Sequence, residues 1–168
     1  MNSPVKTSTL RYTDRTFPSY RFIPKKSPHP TRDPDGHSYK KPLEQLASFE
    51  NNQWQSCNAY LYGIDLFNYG YWWEAHEALE VVWVAAGRQT KTGLFIQGLI
   101  QISAAHLKKF QGFNDVAKRM ATEGLEKMKC IKGIYLGIEV SKFRIAVESY
   151  FSNDNKMPVI IELIANSQ

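Results

Sequence analysis

Hydrophobic and polar positions change their rhythm once along this chain, near Leu43. Before that point, seven of the eight prolines (Pro4, Pro18, Pro24, Pro28, Pro30, Pro34 and Pro42) interrupt any helical period. Proline fixes φ, lacks an N–H donor and pushes the preceding residue out of the helical region. Residues 1–42 are therefore expected as an extended arm. Tyr12, Phe17, Tyr20, Phe22, Ile23 and Tyr39 give it more apolar surface than a solvated linker carries. It is expected to lie along the rest of the protein in polyproline-like and turn conformations, with a turn at Asp35-Gly36.

From about Leu43 the apolar residues fall at helical spacing, and residues 43–168 are expected to form one helical domain. Trp54, Cys57, Leu61 and Ile64 make one stripe, with Tyr60 and Phe67 beside it, ending near Asn68 or Tyr69. A second helix, from about Tyr71 to Ala86, is apolar on most sides and should be central. Gly87 and Gly93 bound a loop. A third helix runs from about Gly93 to Phe110, and its small residues Gly98, Ser103, Ala104 and Ala105 permit a close neighbour. A fourth opens with Asn114 as N-cap, buries Ala117, Ala121, Leu125 and Met128, and stops near Gly133. A fifth spans about Glu139 to Phe151. The run Met157–Ile164 reads equally as a brief strand or a last helical turn. The fold class is all-α: a single bundle of about five helices with a proline-rich N-terminal arm.

Length and composition narrow the picture. The 168 residues suit one domain. No run of about 18 apolar residues is present, so no membrane helix is expected; nor is a signal peptide. Cys57 and Cys130 have neither metal nor redox spacing; they are expected as small buried hydrophobes in a reducing cytoplasm. Of the net charge of +5, nine cations and five anions fall in the first 50 residues, so four of the five net charges sit there. A basic arm with aromatics can hold phosphates, but a solvated tail lying on its own domain is the preferred reading, and nucleic acid is not expected as a partner.

The chemistry concentrates in FNYGYWWEAHEALEVVW, Phe67 to Trp83. His76, Leu79, Glu80 and Trp83 are spaced i, i+3, i+4 and i+7, hence on one helix face. An imidazole and a carboxylate at i, i+4 can share a metal ion, and Glu77 stands where the general base of the HExxH zinc helix would be. The second histidine of that motif is missing, so zinc-peptidase chemistry is not supported. Trp73 and the glutamines of the third helix likewise fail the paired Glu-x-x-His pattern of di-iron bundles.

Three readings stay open. In the first, His76, Glu77 and Glu80 are catalytic or ligand-contacting groups of a small-molecule pocket between the second and third helices, lidded by the arm. Trp73, Trp83, Gln97, Gln101, His29 and His37 are its candidate lining. In the second, His76 and Glu80 hold a divalent metal, with Glu77 as base of a hydrolase-like enzyme and His29, His37, Asp33 or Asp35 as further ligands. In the third, the cluster is a purely structural, satisfied polar network, with His76 and Glu80 bonded to each other, to Gln97 or Gln101, or to the arm's backbone; a self-associating interaction module is the alternative in which that network only shapes the fold. His106 is read as a packing or surface histidine, and Lys108 and Lys109 as partners of helix-terminal carbonyls. The absence of GxSxG, P-loop and Gly-rich dinucleotide motifs sets several enzyme classes aside.

The pattern FN-x-G-x-x-W-E-A-H-E-x-L-E-x-x-W is met by Phe67, Asn68, Gly70, Trp73, Glu74, Ala75, His76, Glu77, Leu79, Glu80 and Trp83. With Gln97 to Gln101, Ala104 and Ala105, it resembles the domain-of-unknown-function 309 family. The arm segment with His29, Pro30, Gly36 and His37 is similar to an extension in a bacterial subset of that family. The resemblance is dense over residues 67–108 and departs from the family at Ser103, where alanine is usual. It implies a compact all-helical fold and brings no reaction or cofactor.

Overall fold

The structure is a computed structural model that describes residues 9–152 and 157–165; the expectation for residues 1–8 lies outside it. Five helices follow the arm: α1 (Asn58–Asn68), α2 (Trp72–Ala86), α3 (Lys91–Phe110), α4 (Asn114–Lys127) and α5 (Val140–Ser152). Before α5 comes a small hairpin, β1 (Ile134–Tyr135) paired antiparallel with β2 (Ile138–Glu139). Successive helices pack on each other, with α2 between α1 and α3, and α4 between α3 and α5. No helix among the described residues is long and apolar enough to cross a membrane.

The helices bury the faces that their spacing predicts. On α2, Trp72, Ala75, Leu79 and Val82 form the buried stripe; on α4, Ala117, Ala121 and Leu125 do. α3 starts two residues earlier than expected because the Thr90 hydroxyl caps it, accepting from the Gly93 N–H at 2.9 Å. Where α3 crosses α4, a Cβ on Gly98 would lie 2.7 Å from the Gly124 carbonyl oxygen, and one on Gly124 2.9 Å from that of Gly98. The two backbones meet with nothing between them.

Other boundaries differ from the sequence expectation. Residues 43–50 are not helical, and only a 3₁₀ turn (Asn51–Ser56) precedes α1, because Cys57 adopts extended dihedrals between them. Phe113, not Asn114, occupies the N-cap of α4, and the helix ends at Lys127, ahead of Gly133. Cys57 is half-buried, but Cys130 is exposed, contrary to expectation, because it lies in the turns after α4 rather than on its buried stripe.

The arm adheres by polar anchors. The fully buried Asp65 of α1 accepts from the Tyr12 N–H (2.8 Å), the Thr13 N–H (2.9 Å) and the Thr13 hydroxyl (2.7 Å), with Arg11 Nε 3.6 Å away. Tyr62 donates to the Thr16 carbonyl at 2.9 Å. Phe17 lies among the rings of Tyr62, Tyr69 and Tyr71. Further along, residues 29–38 fold so tightly that a Cβ on Gly36 would stand 2.3 Å from the Pro30 carbonyl oxygen.

Residues 157–165 form neither strand nor helix, and side chains satisfy much of their backbone. Asn68 bonds both the N–H and the carbonyl of Ile161 at 2.8 Å, Tyr12 accepts from the Leu163 N–H at 2.8 Å, and His106 accepts from the Val159 N–H at 3.3 Å.

Candidate functional site

Beside its core stripe, α2 carries two further faces. Glu74, Glu77, Ala78 and Val81 are spaced i, i+3, i+4 and i+7, and all four line a cleft of about 570 Å³ beneath the arm. The arm supplies the facing wall through Arg15, Phe17, Pro18, Ser19, His37, Lys41 and Leu43, and α1 contributes Tyr62 and Leu66. Arg15 is fixed across the mouth by a fork to Glu44 (3.2 and 3.0 Å) and lies 4.0 Å over the Tyr62 ring. The third face of α2 holds His76, Glu80 and Trp83.

Glu74 is the inner polar centre. Its side chain is 5% exposed, and Oε1 accepts from the Phe22 N–H at 2.8 Å and contacts His37 Nε2 at 3.0 Å. His37 is positioned in turn by Ser38 Oγ at 2.9 Å from Nδ1 and by the Tyr20 hydroxyl, which accepts from its backbone N–H. The other carboxylate oxygen, Oε2, is shielded from water and has no hydrogen-bond partner among the described residues. Burial raises the pKa of Glu74 above the ordinary carboxylate value, and the hydrogen bonds from His37 and Phe22 only partly draw it back.

His76 is the outer centre. Its ring is 29% exposed, with Nδ1 3.2 Å from Glu77 Oε1 and Nε2 3.5 Å from Glu80 Oε1. The Nδ1 contact is off the line of an N–H bond, so that atom, itself shielded from water, makes no aligned hydrogen bond. Burial pulls the His76 pKa down, but the adjacent Glu77 carboxylate and the charge of Glu80 outweigh it, and the net shift is upward. One ligand atom from each of the three residues falls within 4.8 Å of the others, a grouping able to hold a metal ion.

The structure thus brings His76, Glu77 and Glu80 together on α2, half-exposed rather than sealed between helices. Of the candidate lining residues, Trp73 and His37 border the cleft. His29 stands behind it, its ring 5.7 Å from that of Trp73 and 5.2 Å from that of Phe22. Trp83, Gln97 and Gln101 do not line it: Trp83 is covered by the Arg88 guanidinium at 5.0 Å, and the buried Gln101 Oε1 has no partner among the described residues. The cleft lies on the arm side of α2, not between α2 and α3, because the residues that α2 turns toward the bundle are apolar and buried. No described hydrogen bond joins His76 or Glu80 to either glutamine.

Glu74 was not singled out from its sequence position. Its signal, a carboxylate between two buried faces, only becomes legible once the arm lies across α2. Asp65 and Asn68 escaped notice for the same reason: their partners are 52 to 93 residues away.

Fold and site define an all-helical bundle in which an extended arm roofs a cleft on its central helix. Within it, residues 60–120 match the family described as Domain of unknown function (DUF309). The matched span opens at Tyr60 in α1, takes in all of α2 and α3, and ends inside α4. No curated protein matches the chain.

Proposed function

We propose that this protein binds a small organic molecule in the cleft between the arm and helices α1 and α2. The observation that carries the reading is the cleft itself. Its volume of about 570 Å³ lies within the range of ligand sites, and it has aromatic and aliphatic walls in Phe17, Pro18, Leu43, Trp73 and Val81. Converging polar groups of both signs, Arg15, Ser19, His37, Lys41, Glu74 and Glu77, give it the means to orient a ligand that is itself partly polar. The His37–Glu74 pair at its wall is an acid and a base in contact, held by second partners on each side. That is an arrangement suited to recognising a polar group or to exchanging a proton with it. The free thiols Cys57 and Cys130 support a reducing, cytoplasmic setting.

A thermal-shift screen against soluble metabolites tests the proposal. A ligand at about a hundred times its Kd adds about 2.7 kcal/mol to stability, a clear shift. Ala78 faces the cleft from α2, and Ala78→Phe would fill it. The expected result is a stabilising ligand whose effect disappears in Ala78→Phe while the free variant keeps its fold. A ligand that stabilises both proteins equally would place binding elsewhere and overturn the reading.

A further inference from the structure

We infer that the outer face of α2 is a binding site for a divalent transition-metal cation, with His76 Nε2 and the Glu80 carboxylate as its protein ligands and Glu77 holding the imidazole. This goes beyond the cleft reading and shares only Glu77 with it.

Three observations converge. First, the spacing is that of a shared ion. His76 Nε2 and Glu80 Oε1 are 3.5 Å apart, and two ligands each about 2.0–2.1 Å from a tetrahedral ion are separated by about 3.3 Å. Second, the ring is close to the setting that metal binding needs. With Nε2 turned to the ion, Nδ1 lies 3.2 Å from Glu77 Oε1, near the carboxylate–imidazole–metal arrangement that fixes tautomer and ring orientation. At present that Nδ1 is sheltered from water without an aligned hydrogen bond, a defect that a small rotation of the half-exposed Glu77 side chain would repair as the ion seats. Third, no Lys or Arg among the described residues pairs with this negative charge. The protein has 21 Lys and Arg residues, yet among the described residues the ion pairs of Glu77 and Glu80 are with His76 alone.

The donor set selects the class of ion. One imidazole with carboxylates suits Zn²⁺, Co²⁺ or Ni²⁺, whereas Mg²⁺ and Ca²⁺ ask for oxygen throughout. Two protein ligands leave the ion's remaining positions to water, one protein ligand fewer than catalytic zinc sites have. Glu77 also lines the cleft, so the ion would stand at its rim.

The test uses the full chain stripped of metal by a chelator and titrated with Co²⁺ alone, read by visible absorption and calorimetry. The expected result is one equivalent bound more tightly than about 0.1 mM. His76→Asn and Glu80→Gln should each weaken binding at least about tenfold, and Glu77→Gln by about tenfold with the stoichiometry kept. Cys130→Ser, which removes the exposed thiol, should change nothing. A readout that needs no variant is NMR of the wild-type protein, in which Co²⁺ should perturb amides around residues 76–80 first. The inference is overturned if His76→Asn binds within about twofold of wild type, if no saturable binding occurs below about 1 mM, or if the perturbed amides lie elsewhere. Absence of saturable Co²⁺ binding to the wild-type protein, with the cleft ligand still bound, would sink this inference and leave the cleft reading standing.

Discussion

His106 shows how far packing moves a side chain from its ordinary behaviour. It is fully buried, with its ring 4.9 Å from those of Phe67 and Tyr150 and 5.0 Å from that of Phe151. Nδ1–H donates to the Ile102 carbonyl at 2.8 Å and Nε2 accepts from Val159, so the neutral ring is fully used. Burial lowers its pKa from 6.5 to about 4, despite the Ile102 bond. Because the folded value lies below the unfolded one, the unfolded chain takes up the proton first on acidification. Stability is complete above pH 6.5 and is lost progressively between pH 6.5 and 4, by on the order of 3 kcal/mol from this group. Urea denaturation at a series of pH values should show that slope. His106→Phe should flatten the part of it due to this residue, while costing on the order of 1–2 kcal/mol at pH 7 for the Val159 N–H it strands, since the Ile102 carbonyl keeps its helical partner. An unchanged slope in the variant would mean that other groups set the acid limit.

At the scale of elements, the helices were legible wherever one apolar stripe ran against one neighbour. α2, α3 and α5 fall within two residues of their expected spans, and α4 starts where expected but ends ahead of Gly133. Two failures have physical causes. The stripe Trp54, Cys57, Leu61, Ile64 does fit one helix, but Trp54 instead packs against the hairpin turn, where a Cβ on Gly137 would come within 2.5 Å of its ring. That long-range contact is absent from any local period. The hairpin was missed because its strands are two residues each and its turn places Leu136 at φ 49°, without the Asn-Gly or Asp-Gly signal that announces such turns. The close crossing of α3 and α4, by contrast, was foreshadowed by the small residues of α3. It predicts that Gly98→Val costs about 1–3 kcal/mol or more, since the Gly124 carbonyl stands in the way as well as the movable Met128 side chain. Denaturant midpoints would show it. A neutral effect would mean that the two helices separate easily.

For the molecule as a whole, the site was half legible. The i, i+4 pair of His76 and Glu80 follows from helix geometry alone, but the cleft depends on where the arm lies, and no local pattern fixes that. What fixes it is α1. Asp65 takes the arm, Asn68 takes residues 157–165, and the two ends meet where the Tyr12 hydroxyl accepts from Leu163. Two anchors one turn apart on the same helix make the ends of the described chain one cooperative unit rather than two independent flaps. Asp65→Ala should therefore do more than loosen the arm. It strands the Tyr12 and Thr13 N–H groups and costs on the order of 2–4 kcal/mol. It should also reduce the hydrogen-exchange protection of Leu163, roughly a hundred residues away in sequence and not in contact with Asp65 through any described bond. Asn68→Ala should in turn expose the arm to limited proteolysis around Arg11 and Arg15. Combined, the two changes should cost less than their sum, because either one already releases the Tyr12–Leu163 link. Strict additivity, with Leu163 protection unaffected by Asp65→Ala, would show that the cleft's roof is held by the arm's own contacts and that the far segment plays no part in it.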